Sequence, residues 1–464
     1  MRLFSLKRKQ SYQVDMCHGP LLWQIIRFTI PLIISGVLQM LFHSADLIVI
    51  GQLTSEKALA AVGATGSLTM LLINIFIGLS IGTNVLVARY LGKNSRKDTS
   101  RTVHTAIMTS LFGGAFLAAA GITLAKPMLK LMGTPEDILD MSALYMWVYF
   151  GGMPAVMLYN FGSAVLRAMG DTTRPFYFLL FSGIINVLLN LFFVIVFHWD
   201  VAGVAAATVI SQAIAGVLVL RVLYKMRGPC RFKWQNLRFK WKNMRELLWI
   251  GVPAGFQASC FSLSNILIQS ALNTFGSAAI AGLTAGGTLE MLSYVAQGAI
   301  GQTVVSFVGQ NHGAKNFDRM KKSIIICVGF AACCALVVET TLLTFSRPLL
   351  SVFNTNPEVI AFGVRRLWCT LPLLFICSSM DVMTGALRGM GHSVAPTGIT
   401  LTCICALRVV WLYTVFAWYP TLEVVLLSYP VTWVLNAAGV GILLVVTFRK
   451  EKRKCLAEAA AAQA

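Results

Sequence analysis

Charge is scarce in this chain, and negative charge scarcer still. Charged residues make up 12% of its 464 positions, and 18 acids stand against 38 Lys and Arg. Soluble domains carry roughly 25% charged residues, so this composition excludes an ordinary water-facing globule. No phosphate loop of the Walker type is present, which leaves the chain without an ATPase engine of its own; HExxH and GxSxG are missing too. An enzyme is therefore not expected, and no cofactor or bound metal is called for. Of eleven cysteines, eight (Cys260, Cys327, Cys333, Cys334, Cys369, Cys377, Cys403, Cys405) sit in apolar runs without ligand spacing and read as small packing residues. The N-terminus lacks the short apolar core and cleavage site of a signal peptide. Its apolar stretch runs from Leu21 nearly to Ile50, so an uncleaved first helix is expected.

Apolar residues, by contrast, reach 57%. A helical bilayer span takes about 20 mostly apolar residues, and only helices or closed barrels satisfy their backbone in lipid. The runs are of helix length. They predict an all-α integral membrane protein with twelve transmembrane helices, near 21–50, 58–88, 102–124, 138–166, 174–197, 201–223, 246–275, 278–308, 320–344, 359–387, 394–416 and 422–448.

These spans form two pseudo-symmetric six-helix lobes. Between them lies RVLYKMRGPCRFKWQNLRFKWKNMR, residues 221–245, with nine Lys or Arg and no acid. On either side the sequence repeats itself. Pro31 of FTIP answers Pro253 of IGVP, ALAAVGATGSL from Ala58 answers AIAGLTAGGTL from Ala279, and LRAMGDTTRP (166–175) answers LRGMGHSVAP (387–396). A register of 221 or 222 positions held across both halves means duplication. The expected organisation is a cytoplasmic N-terminus (1–20), an N-lobe (21–223), a basic cytoplasmic connector (224–245), a C-lobe (246–448) and a cytoplasmic tail (449–464).

The net charge of +20 suggests nucleic acid until its placement is considered. With the N-terminus inside, thirty of the 38 Lys and Arg fall in cytoplasmic segments, as positive charge does in short loops of membrane proteins. The bilayer is thus the expected partner, and nucleic acid is not. Both termini are predicted to be cytoplasmic, in a multi-pass protein of the cell inner membrane. An even number of spans per lobe makes the repeats parallel, a recognised transporter plan.

Polar side chains inside the spans are expensive and should face the bundle or a cavity. In the first helix Ser35, Gln39, His43 and Asp46 share one face. This stripe leads to a carboxylate that serves either ion coupling or the interface near Gly51. His43 reads equally as a packing or a proton-handling histidine. Ser182, Asn186 and Asn190 line one face of the fifth helix, as interhelical glue or as oxygen ligands for a cation, and Thr208 of the sixth suits either role. In the second lobe Ser262, Asn265, Gln269 and Asn273 share a side of the seventh helix. Glu290 lies mid-span on the eighth with Tyr294 and Gln297, Asp381 on the tenth with Ser378, Thr384 and Arg388, and Arg408 on the eleventh. Glu290, Asp381 and Arg408 either carry ions or neutralise one another as a static network. Glu339 and Glu423 are expected at the interface.

The prolines Pro31 and Pro253, the ALAAVGATG and LRAMGDTTRP elements with their repeats, and GVAAATVISQ in the sixth helix together carry a resemblance. From about Leu21 to Lys450 the chain resembles the multidrug and toxic compound extrusion (MATE) family of drug/cation antiporters. The resemblance implies a V-shaped bundle whose lobes rock about a central cavity. It implies export of small cationic, amphipathic compounds in exchange for protons or sodium ions, by a monomer. Asp46 matches the family's first-helix coupling aspartate. Asn186, Asn190 and Thr208 fall where the DinF-type branch places Asn, Asp and Thr, so Asn190 removes one negative charge there. Asp381 matches the tenth-helix aspartate of the NorM-type branch, whose seventh-helix glutamate is replaced here by the neutral region around Ser259 and Cys260. Glu290 is a second-lobe candidate that the resemblance does not assign, and Pro31 is expected to bend the first helix. A flippase for a lipid-linked precursor, from the related superfamily, is the alternative reading.

Overall fold

The computed structural model describes residues 12–237 and 239–461. Residues 1–11 of the expected N-terminal segment, Arg238 of the connector and residues 462–464 of the tail lie outside the described residues. Among those described, regular structure is helical, without strands. Among the described residues eleven helices are long and apolar enough to cross a membrane, or twelve when one bent pair counts as a single span. In chain order they are α1 (Leu21–Leu53), α2 (Glu56–Gly92), α3 (Arg96–Leu131), the bent α4 (Glu136–Gly151 with Met153–Ala168), α5 (Thr173–Ile195) and α6 (Asp200–Lys225). The second set is α7 (Trp241–Phe275), α8 (Ser277–Gly313), α9 (Phe317–Thr344), α10 (Pro357–Gly389), α11 (Val394–Trp418) and α12 (Leu422–Ala461).

Local chemistry sets the boundaries. Ser55 starts α2 by accepting the Ala58 N–H at 3.2 Å, and Asn316 starts α9 by accepting the Arg319 N–H at 3.1 Å. Asn356 and Pro357 open α10 as an N-cap followed by proline at the first helical position. The span expected as continuous over 138–166 bends by 47° at Gly152. Pro154 follows the bend, and proline has no N–H to continue the ladder. The glycine opposite, Gly114 of α3, admits the Pro154 backbone where a Cβ would collide. Pro372 lies in a 3₁₀ turn, Leu371–Leu373, that interrupts α10, and a π turn, Leu401–Ala406, sits inside α11.

Contacts divide the chain into two compact units, Met1–Leu72 with Ser80–Leu247, and Ile73–Leu79 with Leu248–Ala464. In the first, Val87, Ile107, Leu166 and Val219 form one core and Val49, Ile50, Ala58 and Val204 another. The core of the second gathers Ile268, Leu283, Leu371, Ile404 and Trp433.

The connector joins the first of these cores through Cys230 and Phe232, both fully buried. Burial of a phenylalanine ring is worth about 1.5–3 kcal/mol. His104 of α3 stacks on Phe232 at 5.4 Å and bridges the Ser100 carbonyl and the Lys233 backbone at 2.7 and 3.1 Å. The basic segment is therefore fastened to α3.

Candidate ion-coupling site

The first unit assembles a polar site from α1, α5 and α6. Close approach of α1 to α5 depends on Gly183: a Cβ there would overlap the Phe42 ring. One turn beyond Phe42, Asp46 meets α5. The Asn190 amide donates to Asp46 Oδ1 at 2.5 Å. Asn186 donates to the Thr208 hydroxyl at 3.3 Å, and that hydroxyl donates to the Val204 carbonyl at 3.0 Å. Asn186 and Asn190 are buried, while Asp46 and Thr208 are half-buried. The side-chain oxygens of both asparagines are buried with no hydrogen-bond partner. A lone carboxylate thus stands beside two unengaged amide oxygens, a donor set suited to a hard cation or a proton.

Four residues singled out in the sequence therefore come together: Asp46, Asn186, Asn190 and Thr208. Their neighbours in the two stripes do not join them. Ser182 donates to the Leu179 carbonyl at 3.1 Å and Ser35 to the Pro31 carbonyl at 2.7 Å, while Gln39 and His43 are exposed. Pro31 lies in the interior of α1, which continues through it. Two tyrosines of α4 were missed. Tyr145 and Tyr149 stack at 6.0 Å within electrostatic range of Asp46. Their i, i+4 spacing in an apolar span was the available signal.

In the second unit Glu290 forms a closed ion pair. Arg366 of α10 donates to both its carboxylate oxygens at 2.9 and 3.2 Å, and Thr370 adds a bond of 2.5 Å. The same guanidinium donates to the Leu283 carbonyl at 3.0 Å and lies over Gly287, where a Cβ would meet it at 3.0 Å. Asp381 makes no ion pair with Arg366; it is half-buried on the face of α10 that also carries Arg388, and Arg388 donates to Gln257 at 2.9 Å. Arg408 joins neither acid. It donates to Asn265 and Thr432 at 3.2 Å each and stacks over Tyr429 at 4.4 Å.

Of the two glutamates expected at the interface, Glu423 pairs with Arg365 at 3.6 Å with both side chains exposed. Glu339 is instead 2% exposed, with neither carboxylate oxygen hydrogen-bonded. Helix α9 packs that turn against its neighbours, and linear position near a span end did not reveal it.

Two repeated six-helix lobes with sparse polar groups inside their spans fit a membrane transporter. The chain belongs to the MatE family, whose pattern matches residues 31–192 and again 253–414. The probable multidrug resistance protein YoeA of Bacillus subtilis (strain 168) is 32% identical over 431 residues, 90% of this chain and 92% of the relative. The FAD transporter of Shewanella oneidensis is 28% identical over 344 residues, 72% and 75% of the two chains. A solved structure described as the outward-facing conformation of a multidrug resistance MATE family transporter of the MOP superfamily aligns with a TM-score of 0.89. It is 20% identical and covers 96% of this chain and all of that one, a likeness of fold. The protein is thus a multi-pass membrane transporter of the multidrug efflux MATE family.

The two matched segments are equally long and begin 222 positions apart. The repeat register is 221 at Pro175 and Pro396, and the π turn between Pro396 and Arg408 accommodates one further residue. In that register Arg408 stands where Asn186 stands in the first lobe, and Leu267 or Ile268 where Asp46 stands.

Proposed function

We propose that this transporter is a secondary active antiporter that exports organic, cationic and amphipathic compounds across the cell inner membrane in exchange for protons or sodium ions, with Asp46 as the ion-accepting group. The observation that carries the reading is the Asp46–Asn190 contact beside the unengaged oxygens of Asn186 and Asn190. With Asn190 in place of an acid the site holds one negative charge, so a single proton or sodium ion neutralises it. A bare carboxylate is costly in a half-dehydrated setting. Loading and release of the ion therefore shift the balance between access states by the ion's differential affinity for them. Asp381 remains a second-lobe candidate, because among the described residues no ion pair engages its carboxylate. Glu290, locked to Arg366, supports structure. Pro31 serves as a bending point of α1. A single chain is the working unit, with both termini and the connector cytoplasmic.

Dye efflux from proteoliposomes, with proton and sodium gradients varied independently, tests the reading. Efflux that follows either cation gradient supports it. Efflux indifferent to both, with transfer of a lipid-linked precursor instead, favours the flippase. Cysteines introduced at Lys97 and Lys454 should be labelled only from the cytoplasmic side, and labelling from outside would contradict the orientation.

A further inference from the structure

The first unit carries a second polar feature unrelated to Asp46. A cavity of about 470 Å³, within the ~300–1,000 Å³ of small-molecule sites, opens where α2 ends, α3 begins and the connector enters α7. Five basic residues line it (Arg89, Lys93, Arg101, Lys240, Lys242) against two acids, Asp98 and Glu246. Both acids are already engaged. Glu246 accepts the Tyr90 hydroxyl at 2.9 Å, and Asp98 accepts the Ser95 hydroxyl at 2.7 Å and faces Arg101 at 3.8 Å. Among the described residues no carboxylate lies within ion-pair distance of Lys93, Lys240 or Lys242.

Two further observations favour an anion here. The first turn of α7 contains no acid, so Lys240 and Lys242 sit at the positive end of its helix dipole. The corresponding corner of the second lobe provides an internal comparison. There Lys315, 222 positions after Lys93, donates to Glu458 of α12 at 3.1 Å, and Lys452 pairs with Asp318 at 3.4 Å. The second lobe pairs Lys315 with a carboxylate of its own, whereas Lys93 in the first lobe has none within ion-pair distance among the described residues.

The surroundings indicate where the anion comes from. Phe239 and Trp241 alternate with Lys240 and Lys242, and Trp241 is 66% exposed. Exposed aromatic rings beside lysines at the end of a span mark the headgroup level of a bilayer. We infer that this cavity binds the phosphate of an anionic phospholipid headgroup, with Lys93, Lys240 and Lys242 as its charge partners. The connector, already fastened to α3 through His104 and Phe232, brings two of these lysines to the end of α2. A bound headgroup would tie the three segments together.

The test uses the full-length protein in detergent, with retention of phosphatidylglycerol, phosphatidylcholine and inorganic phosphate measured separately. Phosphatidylglycerol should be retained over phosphatidylcholine. Lys93→Gln/Lys240→Gln/Lys242→Gln should weaken that retention about a hundredfold, at roughly fivefold per lysine. The charge-preserving triple Lys93→Arg/Lys240→Arg/Lys242→Arg should keep it. Lys315→Gln/Arg319→Gln/Lys321→Gln, with the same change in net charge, should lose less than about twofold. Equal loss in both glutamine triples would reduce the effect to general charge and overturn the site. Inorganic phosphate displacing the lipid at millimolar concentration would assign the cavity to a soluble phosphate compound and overturn the lipid reading.

Discussion

The Asn190 amide donates to the Asp46 carboxylate across the contact of α5 with α1, and Gly183 lets those helices approach. A methyl group at Gly183 must displace the Phe42 ring. Overpacking of this kind costs about 1–3 kcal/mol, so Gly183→Ala should lower thermal stability and slow transport together. Gly63→Ala, where nothing lies within 4 Å, is the control and should do neither.

The Glu290–Arg366 pair is expected to be structural. Removing one partner of a buried ion pair costs about 3–5 kcal/mol because the other charge is left uncompensated. Glu290→Gln and Arg366→Met should each lower the melting temperature sharply, and the double variant should recover part of the loss. A single Glu290→Gln variant that is stable yet uncoupled would make Glu290 an ion carrier instead.

Asp171, in the loop between α4 and α5, is fully buried, and burial pushes its carboxyl up from 3.8 to about 6 against the opposing pull of Arg174. The folded protein then holds this proton more tightly than the unfolded chain. Stability from this group is full below about pH 4 and is lost as pH rises through 6. Asp171→Asn keeps an acceptor for the Arg174 N–H, bonded at 3.1 Å. It should flatten that slope and raise stability at pH 7 by about 1–3 kcal/mol.

Pro31 removes one hydrogen bond from the middle of α1. Pro31→Ala restores that bond, so expression should stay near normal while transport slows, if α1 bends between states. An unchanged rate at full expression would make Pro31 a packing residue.

Much of this was legible in the sequence because duplication and hydrophobic runs are linear signals. Asn186 and Asn190 could be placed on one face of α5 because helical spacing alone decides it. The partner of Glu290 could not. Arg366 lies 76 positions away, and only the packing of α8 on α10 selects it over Arg408. The π turn that sets the register of Arg408 leaves no mark in composition. The bend at Gly152 needed Pro154 to be read together with the room left by Gly114. Glu339 looked peripheral because its distance along the chain from a span end says little about which neighbours cover it.

In the proposed mechanism the first lobe, through Asp46, couples the ion to export. Dye efflux driven by an imposed proton gradient should be measured in proteoliposomes of the wild type, Asp46→Asn and Asp381→Asn at matched protein content. Asp46→Asn should bind dye within about twofold of wild type, and its gradient-driven efflux should fall at least about tenfold, a loss of roughly 1.4 kcal/mol of coupling or more. Asp381→Asn should keep part of its efflux. Wild-type efflux from Asp46→Asn, with Asp381→Asn inactive, would place the coupling group in the second lobe and contradict the account.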